Sequence, residues 1–220
     1  MSKPWSYSML TSWETCPRRH YLTRVAKVVV EPQTEATTHG NAVHKALEVS
    51  VRDALPLDRK YKQYEPLVET IRSAPGVKHT EYKFALTRNF TPTGYWDKDA
   101  WVRGVLDLQV LQPTSATVID YKTGKPKPDA DQLKLFAAAG FALHPRAKTI
   151  RTGYAWLAYN RLDTEVFHKG DEAAIWQDFL PRIQRMEAAV TERDHPPKPS
   201  GLCAKWCPVP KRLCEFSGKE

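Results

Sequence analysis

The chain is 220 residues long, with 41% hydrophobic residues, 7 Trp and a formal net charge of +8 at a pI near 9.3. That length and apolar content support one sizeable core and exclude a disordered chain. No apolar run reaches membrane-spanning length and no charged-then-apolar leader pattern opens the sequence, so a cytoplasmic protein without membrane contact is expected. The basic balance favours a polyanionic partner, most often nucleic acid.

Residues 6–25 predict two short helices, with Ser8 as a cap for the first and Pro17 in the first turn of the second. Cys16 falls at their junction, a fixed spot from which a thiolate can point. From Thr38 a helix carries Val43, Ala46, Leu47 and Val51 as its buried stripe. Gly40, His44 and Glu48 share one narrow face of that helix at i, i+4 and i+8. Residues 56–77 read as a polar helix with Leu67, Val68 and Ile71 inward.

Strands follow. Tyr82, Phe84 and Leu86 alternate, and Thr91 to Gly94 turns the chain. Trp101 to Leu111 alternates next, and Gln112 to Ser115 supplies a turn into Val118-Ile119-Asp120-Tyr121-Lys122. Antiparallel pairing about the Pro113/Thr114 midpoint sets Asp107 directly opposite Asp120. Facing carboxylates repel unless a cation sits between them, and a divalent metal with oxygen ligands fits that need. Lys122 lies two residues beyond Asp120, on the same strand face.

The acid-x-Lys triplet occurs three times, at Asp58, Glu81 and Asp120. Asp58 sits in a helix-like stretch. Glu81 lies on a plausible strand but has no acidic partner just before it, so Asp120 is the favoured one.

Gly124 to Pro128 is a basic loop bearing Lys125 and Lys127. A helix opening at Asp129 or Asp131 places Gln132 and Phe136 on one face. A strand from Ile150 to Tyr159 and a return at Val166-Phe167 precede a long helix from Asp171. That helix should bury Ile175, Trp176, Phe179, Ile183, Met186 and Val190 and bend at Pro181. His195 to Gly201 is a stiff linker into a tail holding Cys203, Cys207 and Cys214. Three cysteines so close together, with Cys16 far upstream, point to metal ligation rather than disulfides. The order of elements predicts an α/β fold with a central mixed β-sheet flanked by helices. It is expected as a single domain over 1–220, with a core at 36–193 and cysteine-bearing segments at 6–25 and 195–217.

Taken in order, Gly40-x-x-x-His44, Gly104-x-x-Asp107, Asp120-x-Lys122 and Gln132-x-x-x-Phe136, flanked by the cysteines, resemble the PD-(D/E)XK nuclease superfamily. More narrowly they are similar to its RecB-like exonuclease branch, which includes the iron–sulfur nucleases of CRISPR adaptation, the AddB nuclease domain and phage exonucleases. The resemblance implies a restriction-endonuclease-like core and Mg²⁺ or Mn²⁺ held by His44, Asp107, Asp120 and the Tyr121 carbonyl. Lys122 would orient the attacking water, and Gln132 would position Lys122 or the DNA backbone. It also implies a [4Fe–4S] cluster on Cys16, Cys203, Cys207 and Cys214, with zinc the alternative for a four-cysteine site.

The chain departs from the family pattern twice. Phe136 stands where a Tyr is usual, and the tail reads C-x3-C-x6-C rather than C-x2-C-x5-C. Arg18, Arg19, Lys125, Lys127 and Lys205 are the expected DNA contacts, and Trp206 could stack on a base. The implied function is an exonuclease on single-stranded DNA ends, 5′→3′, serving recombination, repair or phage DNA processing, with a recombination or helicase partner. An endonuclease of the same fold and a non-catalytic DNA-binding metal-cluster protein are the alternatives.

Overall fold

The computed structural model describes residues 4–126 and 130–219. Lys127 and Asp129 lie outside the described residues. The chain divides into two compact units, Glu35–Gln177 and the paired segments Met1–Thr34 with Asp178–Glu220.

The larger unit is an α/β fold on a six-stranded mixed sheet. Its strands are β1 (Val77–Leu86), β2 (Pro92–Thr93), β3 (Val102–Gln112), β4 (Ser115–Lys122), β5 (Thr149–Trp156) and β6 (Arg161–His168), in spatial order β2-β1-β3-β4-β5-β6. Only β4 and β5 run parallel, joined through α5 (Asp131–Leu143); every other neighbouring pair is antiparallel. The β3–β4 hairpin turns as expected. Its ladder pairs Gln112 with Ser115 and Leu108 with Ile119, and one further step in the same register sets Asp107 against Asp120.

The core on one face of this sheet is a period-2 set from the strands meeting a 3.6-period stripe from helices. Leu108, Val110, Ile119 and Tyr121 pack with Val43, Leu47 and Val51 of α3 (Glu35–Asp53) and with Leu67, Val68 and Ile71 of α4 (Glu65–Ser73). Ala46 is only partly buried.

Helix α3 starts at Glu35, ahead of the expected Thr38, with an acidic residue in its first turn, where the helix dipole favours negative charge. The expected 56–77 helix is two pieces. A 3₁₀ stretch, Arg59–Tyr64, precedes α4, which begins where Pro66 fits the first turn. The guanidinium of Arg72 secures this corner, donating to Leu55 O at 2.6 Å and pairing with Glu65.

In the smaller unit Ser6, not Ser8, caps α1 (Tyr7–Thr15): its Oγ accepts from Met9 N at 3.3 Å, whereas Ser8 is already inside the helix. Cys16 closes α1 and opens α2 (Pro17–His20), which runs on into a π-helical turn, Tyr21–Val25. The N-terminal helices and the C-terminal tail are bound together. The side chain of Lys198 donates to Glu14 O at 2.8 Å, Arg18 N donates to Pro196 O at 3.2 Å, and Tyr21 stacks on His195 at 4.0 Å. Leu22, Val29, Val209 and Cys214 form a small core there.

Helix α6 (Asp171–Glu192) continues through Pro181. Its stripe holds to Met186, but Val190 is 37% exposed. A straight helix slips about 20° per heptad, which turns the last stripe position outward.

Two outcomes follow from this packing. A Cβ on Gly104 would stand 2.3 Å from the Phe84 ring on the paired strand. Gly104→Ala is therefore expected to cost about 1–3 kcal/mol, read as a lowered urea midpoint. His20 is buried, and burial, then the charges of Arg24 and His195, depress its pKa from 6.5 to about 4. Below pH 6.5 the unfolded state takes up a proton that the folded state refuses, so stability falls as pH drops toward 4. A thermal midpoint that is flat across that window in the wild type would contradict this, and His20→Phe should flatten it.

Candidate metal and phosphate site

The site forms where three strands bring acids side by side. Carrying the β1–β3 register through the gap between its Thr80–Leu108 and Tyr82–Leu106 pairs sets Glu81 across from Asp107. Asp107 in turn faces Asp120, so β1, β3 and β4 present three carboxylates abreast. Glu81 stands in the left-handed region at φ 49°, which interrupts the ladder. A non-glycine residue held there costs about 1–2 kcal/mol, a strain that persists only where surrounding structure enforces it.

His44 reaches the same point from α3, next to the buried Val43. Its Nδ1 lies 3.4 Å from Asp107 Oδ2, and its ring meets the Tyr121 ring edge-on at 5.8 Å. One ligand atom from each of His44, Glu81 and Asp107 falls within 4.8 Å of the other two, a spacing that fits one cation.

Electrostatics agree with the geometry. Burial, then the charge of Asp107, raises the Asp120 pKa to about 6, against the opposing pull of Lys122 and His44. Burial and the charges of Asp107 and Glu48 also raise Glu81. Burial works against a charged His44, but hydrogen bonds to Asp107 and the Tyr121 backbone, with the charges of Asp107 and Asp120, outweigh it and raise its pKa. A mixed set of carboxylate oxygens and one imidazole suits Mg²⁺ or Mn²⁺.

Asp120 is held in a closed ring of contacts. Lys122 Nζ lies 2.7 Å from its Oδ2, Gln132 Nε2 donates to its Oδ1 at 2.8 Å, and Lys122 Nζ donates to Gln132 Oε1 at 3.0 Å. Tyr154 adds a hydroxyl 3.5 Å from Gln132 Oε1 and a ring 5.0 Å below the ammonium. The sequence expectation set Asp120 beside His44 and Asp107 as ligands. In the structure Glu81 completes the tight trio, and Asp120, on the strand next to Asp107, is paired with Lys122 of its own strand. Tyr121 contributes backbone: its N–H donates to Asp107 Oδ2 at 2.8 Å while its ring is buried in the core. Phe136 is buried and Glu48 pairs with Lys45 and Arg52.

Glu81 is the residue that sequence reasoning passed over. Its signal was present in the Glu81-x-Lys83 triplet. That triplet has no acidic neighbour just before it in sequence; its neighbour, Asp107, comes later in sequence on the adjacent strand.

In the smaller unit the four cysteines, none in a disulfide, line one cavity with Arg18, Arg19 and Lys198. Backbone N–H groups of Lys198 and Ser200 donate to the sulfurs of Cys16 and Cys203 at 3.5 and 3.3 Å. Among the described residues no three cysteine sulfurs lie within 4.8 Å of one another. A single zinc with Zn–S near 2.3 Å needs its sulfurs only about 3.8 Å apart. Of the expected DNA contacts, Arg18 pairs with Glu215 and Arg19 with Glu31, while Lys125 and Lys205 are exposed. Trp206 is exposed too.

Removing the Glu81 carboxylate charge tests the trio directly. Glu81→Gln is expected to weaken Mn²⁺ binding about tenfold or more in calorimetry. Equal affinity in the variant would take Glu81 out of the ligand set.

No helix among the described residues is long and apolar enough to cross a membrane. No curated protein matches the chain. Solved structures share its fold, two among them over nearly the whole chain. One is SSO0001, at TM-score 0.52 and 15% identity, aligned over 99% of this chain and 88% of that one. The other is a candidate exonuclease from Eubacterium rectale, at TM-score 0.55 and 13% identity, aligned over 93% of this chain and 86% of that one. The model of the PD-(D/E)XK nuclease superfamily matches residues 4–215. With the site geometry and this match over nearly its whole length, the chain belongs to the PD-(D/E)XK nuclease superfamily.

Proposed function

We propose that the protein is a divalent-metal-dependent deoxyribonuclease of the RecB-like branch that degrades single-stranded DNA from an end, with 5′→3′ polarity. The observation that carries this reading is the His44, Glu81 and Asp107 trio standing beside the Asp120, Lys122 and Gln132 ring. The likeness to a candidate exonuclease of Eubacterium rectale, which shows fold alone, is compatible with it.

A bound Mg²⁺ or Mn²⁺ supplies Lewis-acid polarisation of the phosphate and activation of a water. His44, Glu81, Asp107 and Asp120 would hold it. The raised pKa of Asp120 means that this carboxyl gives up its proton when a cation enters, so metal affinity should climb with pH through the region near 6.

Lys122 presents an ammonium to the scissile phosphate and steadies charge as it grows on the phosphate oxygens. Gln132 bridges the pair, its amide accepting from Lys122 and donating to Asp120, which fixes where the ammonium points while it rests on the carboxylate. Tyr154 covers the ammonium from below. These groups order the nucleophile and the anion before reaction rather than during it.

The cysteine cavity in the smaller unit would hold an iron–sulfur cluster on Cys16, Cys203, Cys207 and Cys214. The single cavity that all four cysteines line, with backbone donors aimed at two of the sulfurs, is compatible with that choice. Its role is structural: it would brace the joint between the N-terminal helices and the tail.

The deciding experiment is digestion of end-labelled single-stranded DNA with Mg²⁺ or Mn²⁺, alongside a covalently closed circle. Linear strands should be degraded and the circle spared, and EDTA should stop the reaction. Lys122→Ala should lower kcat by about 100- to 1,000-fold with unchanged circular dichroism. Full activity in EDTA, or in Lys122→Ala, overturns the assignment; cutting of the circle makes the enzyme an endonuclease.

A further inference from the structure

The sheet face that carries Asp107 continues beyond the site into a group of aromatic and basic side chains that the cleavage chemistry does not use. Arg103 lies four residues before Asp107 on β3, on the same face and about 13 Å away at strand spacing. Lys83 shares that face from β1, since Lys83 pairs with Val105 and Ala85 with Arg103. The loop after β2 folds Tyr95 and Trp96 over these cations. The Arg103 guanidinium stands 5.4 Å from the Tyr95 ring centre and 5.2 Å from that of Trp96, and Lys83 Nζ stands 5.8 Å from Tyr95. The two rings meet edge to face at 4.9 Å.

A core cluster would hide these rings. Trp96 instead remains 78% exposed, the most exposed Trp described. Its loop is held in place from beneath: Arg103 Nη2 donates to Asp97 O at 3.5 Å, and Asp97 Oδ1 accepts from Asp99 N at 3.0 Å. Asp97 and Asp99 are the acids of this loop, and part of the Asp97 carboxylate is thus engaged by the backbone. Lys83, Lys98 and Arg103 outnumber them by one cation. Fixed aromatic faces interleaved with cations are the recognition pattern for unpaired bases and their phosphates, because every base has a π-face and every linkage a charge. A duplex hides its bases from such a surface.

We propose that Tyr95, Trp96, Lys83 and Arg103 form a binding platform for single-stranded DNA a few nucleotides away from the scissile phosphate, with Trp96 stacking on a base and Lys83 meeting a phosphate. The inference rests on the nuclease reading for its substrate. The platform governs grip on the strand rather than the chemical step, so short substrates that end before reaching it escape its influence.

The test uses the full chain, a labelled oligothymidylate dodecamer for anisotropy in Ca²⁺, and cleavage of a dinucleotide and the dodecamer in Mg²⁺. Trp96→Ala should raise the dodecamer Kd and KM about 5- to 100-fold, leave dinucleotide turnover unchanged, and be largely rescued by Trp96→Phe. Lys83→Ala should reduce the slope of log affinity against log salt by about 0.7, one phosphate contact to a single strand. A Trp96→Ala protein that remains folded and binds the dodecamer within twofold of wild type overturns the platform even if the enzyme cleaves DNA normally. Binding that depends on Trp96 in a protein that cleaves nothing would instead keep the platform and remove the nuclease reading.

Discussion

Three carboxylates abreast on neighbouring strands are the constraint around which this sheet is arranged. Like charges set directly opposite on paired strands destabilise the sheet, yet Glu81, Asp107 and Asp120 are placed so by the two registers that meet at β3. The protein answers with positive charge from two sides. His44 approaches from α3 with a pKa raised by the acids, and Lys122 closes on Asp120 from the same strand. Neither answer is complete, since the Asp120 carboxyl is still pushed up to about 6 and that of Glu81 is raised from its ordinary value. The residual negative charge is what a divalent cation would relieve, so the cost of the arrangement in the free protein becomes affinity for the ion.

The packing explains why the charges stay in place. Leu108, Ile119 and Tyr121 alternate with Asp107 and Asp120 along β3 and β4, and their burial against α3 and α4 locks the register. A slip by one residue would exchange the apolar set and the acids across the sheet, dismantling the core and the site together. Core and site are therefore one specification: the hydrophobic alternation that stabilises the sheet also aims the carboxylates. Gly104 adds to this by letting the Phe84 ring lie flat across β3 just before Asp107.

The smaller unit is built on different terms. Besides buried Trp5, Leu10, Phe179, Ile183 and Met186, it holds a small apolar cluster of Leu22, Val29, Val209 and Cys214 around the cysteine-bearing segments, which polar contacts help to organise. Buried His20, the Tyr21–His195 stack, the bidentate Arg182–Glu14 pair and the cavity lined by four cysteines share the task. A ligated metal group there would contribute folding energy as well as shape.

Much of this was legible in the sequence, and the reason is local. The β3–β4 hairpin follows from alternation and a turn at Pro113, so the Asp107–Asp120 pairing could be counted out by hand. The α3 stripe and the succession of helices and strands along the chain followed from periods of 3.6 and 2. The start of α3, the broken helix before β1 and the Ser6 cap were misplaced by a few residues, because element ends depend on single hydrogen bonds that periodicity does not register. Glu81 was missed for a deeper reason. Its partner is fixed by a β1–β3 pairing that spans a long loop, and its own backbone adopts a left-handed conformation that no propensity favours. The resemblance set Gln132 beside Lys122, but its second bond, to Asp120, needs α5 to lie across β4, and Trp96 meets Arg103 only once the sheet has formed. Sequence by itself determined the alternation, the hairpin and the inventory of chemical groups, since these depend on neighbours along the chain. Tertiary structure alone decided which of those groups meet, since contacts between distant segments are set by how the sheet closes and not by any spacing within a segment.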